Sequence, residues 1–219
     1  MLTVHHLENS RSQRVLWLLE ELAVPYEIVK YARDPKTSLG PPELQKIHPL
    51  GKSPVITDDG TTVAESAAIL EYVAEKYGNG KLIPAKSSPE YQRYRYFMHY
   101  AEGSVMPILL VKLITRRLRE APGVAKLVGK AVAGKLDAAF VKPNVDRHVP
   151  FIANELGSRP YFCGAELTLA DIQMSFPMEA IAARIPDAPK VIHDYVARIH
   201  GRPAFKAALD KGGPYDVMD

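Results

Sequence analysis

Hydrophobic positions in the first eighty residues alternate between the period of a strand and the period of a helix. Residues 2–6 and 26–31 are rich in strand formers, and the second run alternates apolar and polar side chains. Between them, apolar residues recur three and four apart, the spacing that places side chains on one face of a helix. These residues are Val15, Leu18, Leu19 and Leu22. The pattern predicts a strand, an amphipathic helix and a second strand.

Two further strands and a helix are predicted after a proline-rich segment. Residues 34–50 contain four prolines, which exclude long regular structure and favour a loop with one short helix. Residues 54–57 and 61–64 flank an Asp-Asp-Gly turn and form a predicted hairpin. A helix then begins at Ser66 and ends before Gly78. Joined to the first β-α-β unit, the hairpin and this helix predict a small sheet covered by helices.

The rest of the chain carries only helical patterns. Residues 82–89 (Leu-Ile-Pro-Ala-Lys-Ser-Ser-Pro) have the composition of a linker. Helical spacing follows in four segments that Pro and Gly residues interrupt: 90–119, 123–156, 168–183 and 188–210. We therefore predict an α/β domain over residues 1–81, a linker over 82–89 and an all-helical bundle over 90–219.

Composition and charge exclude several classes of protein. The longest apolar runs fall short of the roughly 18 residues that a membrane span needs, and no signal peptide is visible, so a cytoplasmic protein is predicted. The single cysteine, Cys163, excludes an internal disulfide framework and a Cys-rich zinc site. The net charge of +3 comes from residues 82–219, which hold 19 Lys and Arg against 14 Asp and Glu. A nucleic-acid binder has a denser basic stripe, so no nucleic-acid partner is predicted.

Two motifs at predicted strand ends carry candidate chemistry. Ser10 lies between the first strand and the first helix, so its hydroxyl either faces a ligand beside the positive end of the helix dipole or caps free backbone N–H groups. No G-x-S-x-G elbow surrounds Ser10, which argues against a hydrolase nucleophile. The segment Pro49-Leu-Gly-Lys-Ser-Pro54 enters the hairpin as a plain turn. With a cis bond before Pro54, it would instead turn its backbone outward to pair with an extended ligand.

Two more motifs stand at predicted helix starts. Glu65-Ser66 is either a helix cap or a carboxylate site, because backbone N–H groups and the helix dipole converge there. Thr168 and Asp171 have capping-box spacing and are interpreted as structural. His5 and His6 point to opposite faces of a strand, and the other histidines lack metal-ligand spacing, so no metal site is predicted.

As a set, these motifs resemble the cytosolic glutathione transferases. Four of them occur in the order and at the spacing of that family: Ser10-x-x-x-Arg14, His48-Pro-Leu-Gly-Lys-Ser-Pro54, Glu65-Ser66 and Leu167-Thr-Leu-Ala-Asp-Ile172. Three stretches are similar to the yeast-type branch and its bacterial relatives: Lys46–Pro54, Glu102–Ser104 and Asp171–Pro177. The resemblance implies a thioredoxin-like domain followed by an all-helical domain, usually as a homodimer.

The resemblance also implies roles for individual residues. Ser10 matches the serine that hydrogen-bonds the sulfur of glutathione, with Ser12 and Asn9 as rival donors nearby. Ser53, where valine is more frequent, matches the residue whose backbone pairs with the cysteinyl part, ahead of a cis-proline at Pro54. The remaining glutathione-binding positions are Glu65 and Ser66 for the γ-glutamyl group, Lys52 for the glycyl carboxylate, and His48 in the same motif.

A serine in this role needs no strong base beside it. A free thiol titrates near 8.5, and a hydrogen bond to a charged group is worth about 1.5–3 kcal/mol, so one such bond lowers a thiol pKa by about one to two units. The predicted function is a detoxifying conjugation of reduced glutathione to electrophilic, apolar small molecules. Glutathione serves as co-substrate in this reaction, and no cofactor is needed.

Two alternatives to conjugation stay open from the sequence. One is peroxide reduction or isomerisation with glutathione at the same site, and the other is a non-catalytic transferase-like protein that binds a partner protein. In the enzyme, the electrophile pocket is expected between the two domains. Its candidate residues are Leu7, Tyr100, Ser104, Met106 and Pro107.

Overall fold

Four strands form one sheet in the computed structural model, which describes residues 1–215. The strands are β1 (Thr3–Leu7), β2 (Glu27–Tyr31), β3 (Val55–Asp58) and β4 (Thr61–Ala64). They lie in the order β2–β1–β3–β4, with β1 parallel to β2 and β3 antiparallel to both β1 and β4. Because parallel neighbours need a crossover, a helix connects β1 to β2, whereas a tight turn connects β3 to β4 in the predicted hairpin.

Three helices pack against this sheet. They are α1 (Ser12–Leu22), α2 (Glu43–Ile47) and α3 (Ser66–Lys76). Alternation along β1 sends Val4 into the main core with the apolar stripe of α1, and sends Leu7 to the other face. On that second face, Leu7 packs with Leu44 of α2 and Val55 of β3 in a small separate cluster. The last residue of β1 therefore stands between α2 and the strand that follows the proline-rich loop.

Seven further helices make up the rest of the described chain. They are α4 (Glu90–Tyr100), α5 (Met106–Arg119), α6 (Ala125–Leu136), α7 (Lys142–Leu156), α8 (Leu169–Arg184), α9 (Lys190–His200) and α10 (Pro203–Gly212). π-helical turns at Ala101–Val105 and Asp137–Val141 join α4 to α5 and α6 to α7. The predicted fold class, a small α/β sheet followed by an all-helical bundle, is confirmed.

The segment 188–210, predicted as one helical pattern, contains two helices. The backbone of Arg202 is extended, and Pro203 occupies the first position of α10. Proline lacks a backbone N–H and fixes φ, so it starts a helix well and cannot continue one. The apolar spacing on either side of Pro203 is helical, which is why the pattern alone ran through the break.

Helix α8 begins at the predicted capping box, which is confirmed. Thr168 donates its backbone N–H and its hydroxyl to Asp171 Oδ2 at 2.9 and 2.8 Å. The other oxygen of Asp171 accepts the N–H of Phe162 at 2.8 Å and the hydroxyl of Tyr195 at 3.3 Å. Asp171 is fully buried, and this burial raises its pKa to about 6 despite the hydrogen bonds. The motif thus ties the start of α8 to the preceding loop and to α9.

Helix α1 ties the sheet to the C-terminal helices. Glu21 accepts hydrogen bonds from Nε and Nη2 of Arg202, at 2.5 and 2.9 Å, and from the indole N–H of Trp17 at 2.8 Å. Glu20 pairs with Lys211 of α10 at 2.6 Å. Apolar residues from α1, α4, α8, α9 and α10 share a single core cluster. The sheet region and the helical region are therefore packed as one body through α1.

One helical run, Glu90–Arg119, is long and apolar enough to cross a membrane by length and composition. The core helix of a globular protein meets the same criterion. In this chain, buried residues of the run such as Phe97, Met98 and Ile108 pack inside the protein.

The single cysteine lies in the interior. Cys163 follows Phe162 just before α8 and is 5% exposed. Burial raises the pKa of its thiol to about 11. The thiol is therefore neutral at physiological pH.

Candidate active site

A small cavity of about 150 Å³ lies at the edge of the sheet, between the hairpin, the start of α1 and the helical region. It is lined by Arg11, His48, Leu50, Lys52, Ser53, Pro54, Ala64, Glu65, Ser66 and Glu102. All six residues that the sequence predicted as glutathione-binding are among these. The structure thus brings together two motifs that lie about a dozen residues apart in the chain.

The hydroxyl of Ser53 joins the loop before β3 to β1. It accepts the backbone N–H of Leu7 at 3.3 Å and donates to the carbonyl of His5 at 2.9 Å. The β1–β3 ladder ends at the His5–Val55 pair, so the side chain extends the pairing by two bonds where the strand itself has ended. The Ser53–Pro54 peptide bond is cis. A valine could not make these two bonds, which gives the serine at this position a structural reason.

Glu65 stands at the corner between β4 and α3 with an unusual backbone. Its φ of 72° lies in a region that non-glycine residues seldom adopt. Glu65 occupies the N-cap position of α3, and its side chain makes no capping hydrogen bond to the helix. The first turn of α3, beginning at Ser66, therefore presents backbone N–H groups and the positive end of the helix dipole to the cavity.

Ser10 belongs to a chain of buried polar groups at the start of α1. Its Oγ lies 2.7 Å from Ser12 Oγ and accepts the Ser12 backbone N–H at 3.2 Å. Ser12 Oγ in turn lies 2.8 Å from His6 Nδ1 and 3.3 Å from the carbonyl oxygen of Leu7. Ser12 is completely buried, whereas Ser10 is 5% exposed and precedes Arg11, which lines the cavity. Ser10 does not itself line the cavity, and it is placed beside it only through its neighbour Arg11.

Asn9, the third predicted donor, occupies the turn after β1. Its φ is 50°, and its carbonyl accepts a hydrogen bond from the guanidinium of Arg33 at 2.9 Å. Arg33 also donates to the carbonyls of Glu8 and Ser38, at 3.0 and 2.8 Å. The Arg33 guanidinium thus fixes the shape of the turn that leads to Ser10.

His6 is a neutral imidazole in this environment. Burial lowers its pKa to about 4, and the nearby charge of Lys30 acts in the same direction, against a smaller opposite effect of Glu8. The neighbouring His5 faces the other side of the sheet, where its ring bonds to Tyr31 Oη at 3.0 Å and Thr57 Oγ1 at 3.2 Å. The two histidines therefore have separate surroundings, as the strand alternation predicted.

Two arginines, one just before α1 and one within it, contact the same carboxylate from the helical region. Arg11 Nε lies 3.0 Å and Arg14 Nη1 lies 2.6 Å from Glu102 Oε1. Arg14 is 1% exposed, and both guanidiniums stand 5.4 Å from the ring of Phe176 on α8. Glu102 belongs to the π-helical turn between α4 and α5, a kind of distortion that is frequent at functional sites. Glu102 and Arg11 were not predicted as site residues, although both lie in or beside motifs that carried the resemblance.

The five electrophile-pocket candidates do not share one cavity. Leu7 is packed in the small cluster under α2, and Tyr100 donates to or accepts from His148 Nδ1 of α7 at 2.6 Å. Tyr100 and Ser104 line a separate open depression that includes Tyr96 and His99. Met106 is half-buried against the core and Pro107 is exposed. The side chains of α4 and α5 point in several directions, which helical spacing alone did not resolve.

No group of three or more His, Cys, Asp or Glu side chains suited to a metal ion occurs within residues 1–215. Among the charged residues of the cavity wall, Arg11 and Glu102 form an ion pair.

Comparison with known proteins agrees with this geometry. Residues 10–76 match the family model described as "Glutathione S-transferase, N-terminal domain", and residues 115–203 match "Glutathione S-transferase, C-terminal domain". The chain is 36% identical over 214 residues to glutathione S-transferase 3 of Schizosaccharomyces pombe, covering 96% of this chain and 88% of that protein. It is 31% identical over 223 residues to glutathione S-transferase 1 of Saccharomyces cerevisiae, covering 96% and 95%.

A solved bacterial structure has the same fold. The crystal structure of a glutathione S-transferase from Actinobacillus pleuropneumoniae aligns with a TM-score of 0.77 and 27% identity, covering 99% of this chain and 95% of that one. The predicted resemblance to yeast proteins and their bacterial relatives is confirmed.

Proposed function

The chain belongs to the glutathione S-transferase family, and from this premise we propose that Ser10 holds the sulfur of glutathione as a thiolate for attack on an apolar electrophile. The enzyme uses glutathione as co-substrate, and its first eighty residues have the thioredoxin-like fold of the family. The observation that carries the assignment of Ser10 is its place in the chain of buried hydroxyls, directly before Arg11 at the cavity wall.

The charges around the cavity suit a tripeptide with two carboxylates and one ammonium group. Lys52 and the first turn of α3 offer positive charge to the carboxylates, with Lys52 assigned to the glycyl end and Ser66 to the γ-glutamyl end. Glu65 supplies a carboxylate for the γ-glutamyl ammonium group. The backbone of Ser53 pairs with the cysteinyl residue, since its side chain is already bonded to β1. His48 lines the same cavity.

The Ser10 hydroxyl then acts by donating one hydrogen bond to the sulfur. A bond to a charged acceptor contributes about 1.5–3 kcal/mol, which corresponds to a fall in thiol pKa of about one to two units. From a free value near 8.5, that shift makes a substantial fraction of the bound thiol ionised at neutral pH. The start of α1 adds a smaller effect of the same sign.

The electrophile is expected to be apolar and to approach over the π-helical turn. Met106 follows Glu102 by four residues and is half-buried, and Pro107 is exposed beside it, so these two candidates remain available to a ligand. We further propose a homodimer, a cytoplasmic location and a detoxifying role. The proposed domain division stays at residues 1–81, 82–89 and 90–219.

Replacement of Ser10 by Ala tests the assignment. We expect Ser10→Ala to lower turnover with an aryl halide at least tenfold, about 1.4 kcal/mol or more in the barrier, while calorimetry still detects glutathione binding. Ser175→Ala is the matched control, because Ser175 is an equally buried serine that bonds to the Ile172 carbonyl in α8. Full activity of Ser10→Ala would transfer the sulfur contact to Asn9 or Ser12.

Relative rates with an aryl halide and an organic peroxide separate conjugation from peroxide reduction.

A further inference from the structure

We propose that Ser12 and His6 are positioning residues that orient the Ser10 hydroxyl, so that its proton points to the sulfur of bound glutathione. This inference rests on the proposed role of Ser10. None of the three side chains is part of the cavity wall; Ser10 directly precedes Arg11, which is, and Ser12 and His6 act through Ser10.

The three side chains form one continuous, buried line of hydrogen bonds. Ser10 Oγ and Ser12 Oγ are 2.7 Å apart, and Ser12 Oγ and His6 Nδ1 are 2.8 Å apart. Ser12 is fully buried and His6 is 3% exposed, so bulk water does not compete for these bonds. In such surroundings, the direction of each proton is set by the neighbouring groups.

The direction of the protons decides whether Ser10 can serve a thiolate. A serine hydroxyl has one proton and two acceptor lone pairs. Ser10 Oγ already accepts the backbone N–H of Ser12 at 3.2 Å. If Ser12 also donates its hydroxyl proton to Ser10, both lone pairs of Ser10 are occupied and its own proton is left for the sulfur. If Ser12 instead donates its proton to another acceptor, Ser10 donates its own proton to Ser12 and has none left for the sulfur.

His6 favours the productive direction. Its Nε2 is buried and has no hydrogen-bond partner among the described residues, whereas Nδ1 faces Ser12 Oγ. A proton on Nδ1 therefore has an acceptor, and a proton on Nε2 would be an orphaned buried donor, which folded proteins rarely tolerate. With Nδ1 protonated, His6 donates to Ser12 and cannot accept from it. Ser12 then donates to Ser10, because the Leu7 carbonyl is a longer contact at 3.3 Å.

The ring stays neutral throughout, so it orients the hydroxyls and takes no proton from the thiol. The charges that reach it are those of Lys30 and Glu8, and burial keeps its pKa well below neutrality. Near the cavity, Glu102 pairs with both Arg11 and Arg14. None of these three residues bonds to the Ser10–Ser12–His6 line.

The test is a titration of the sulfur in the full-length protein saturated with glutathione, followed by the ultraviolet absorbance of the thiolate. We expect Ser12→Ala and His6→Leu to raise the thiol pKa by about half to one unit, with the Kd for glutathione changed less than about threefold. The conservative variants Ser12→Thr and His6→Asn should restore the original pKa, because Thr keeps the hydroxyl and Asn presents an N–H where Nδ1 stood. His5→Asn is the matched control, since His5 bonds to Tyr31 and Thr57 on the other face.

The outcomes separate this inference from the assignment of Ser10. An unchanged thiol pKa in Ser10→Ala would refute the role of Ser10 itself. A raised pKa in Ser10→Ala with unchanged values in Ser12→Ala and His6→Leu would leave Ser10 in place and overturn the positioning role. A lowered pKa in Ser12→Ala would overturn it too, since it indicates the opposite proton direction. Should Ser12→Ala or His6→Leu fail to fold, His6→Asn against His6→Gln decides, because only Asn places a donor at the Nδ1 position.

Discussion

At the level of single residues, three serine hydroxyls and one imidazole form the hydrogen bonds on which the candidate site depends. Ser53 bonds to β1 by its side chain, Ser10 and Ser12 share a hydrogen bond, and His6 ends the line in the protein interior. Each of these groups is buried or nearly so, which makes their bonds stronger and their loss more costly than at the surface. The chemistry proposed for the sulfur therefore depends on neutral groups in fixed orientations.

Burial of His6 also makes stability depend on pH. In the folded protein its pKa is about 4, whereas in the unfolded chain it is near 6.5. Between these values the unfolded state binds more protons, so the free energy of unfolding falls as pH falls from 6.5 towards 4, by at most about 3 kcal/mol from this residue. We expect the stability difference between wild type and His6→Asn, measured by urea denaturation, to be largest at pH 7 and to shrink at pH 4. A difference that does not change with pH would contradict the burial of a neutral ring.

Sequence reasoning predicted six of the residues that line the cavity and missed Arg11 and Glu102 for a physical reason. Lys52, Ser53, Glu65 and Ser66 stand in short motifs next to turns, and local sequence shows such motifs. The contact between Arg11 and Glu102 joins positions far apart in the chain, so no local sequence pattern predicts it. His6 was correctly separated from His5, but the pattern did not show that Ser12 would meet its ring.

Elements begin and end where particular polar residues satisfy the backbone. Thr168 precedes the first residue of α8 as its N-cap, and the Asp171 carboxylate accepts hydrogen bonds from two backbone N–H groups and two hydroxyls there. At the far end of β3, the buried Asp58 accepts from Lys76, Tyr72 and Tyr77, which fixes α3 against the hairpin. Although burial alone would raise it, these hydrogen bonds lower the pKa of Asp58 to about 2.

The capping box of α8 should contribute strongly to stability. We expect Asp171→Asn to lower the free energy of unfolding by about 2–4 kcal/mol, since one carboxylate oxygen becomes an NH₂ group facing buried donors. Asp146→Asn is the control, because Asp146 forms an exposed i,i+4 pair with Lys142 and should cost about 0.5 kcal/mol or less. Urea denaturation of both variants measures the difference. Equal losses would show that the motif acts as an ordinary surface pair.

Periodicity predicted the kinds of element well and their interruptions less well. The β-α-β unit, the hairpin and α3 follow from alternation, helical spacing and turn residues, all of which are local. The break between α9 and α10 at Pro203 was missed because apolar spacing continues on both sides of it. The π-helical turn at Ala101–Val105 has no composition signal of its own, yet it carries Glu102 to the cavity.

At the scale of the whole molecule, α1 connects the sheet to the helical region through two groups of ion pairs. Arg14 meets Glu102 beside the cavity, and Glu21 meets Arg202 at the other end of the helix. The two carboxylates differ in that only Glu102 lines the cavity. Loss of either carboxylate should weaken the contact between the two regions. Only the loss of Glu102 should also weaken glutathione binding.

A pair of variants tests this difference. We expect Glu102→Gln to lower the free energy of unfolding by about 1–3 kcal/mol and to weaken glutathione binding about fivefold or more, because Arg11 and Arg14 lose the charge that holds them. Glu21→Gln should cost a similar amount of stability with the Kd for glutathione unchanged. Denaturant titration and calorimetry measure the two quantities. Unaltered binding in Glu102→Gln would assign that carboxylate to stability alone.

The burial of Cys163 bears on how the protein would respond to the electrophiles proposed as its substrates. Neutral thiols are poor nucleophiles, and the Cys163 side chain is also only 5% exposed. The polypeptide therefore offers no cysteine thiolate that would compete with glutathione at neutral pH. The burial that fills the space before α8 thus also keeps this thiol protonated and slow to react.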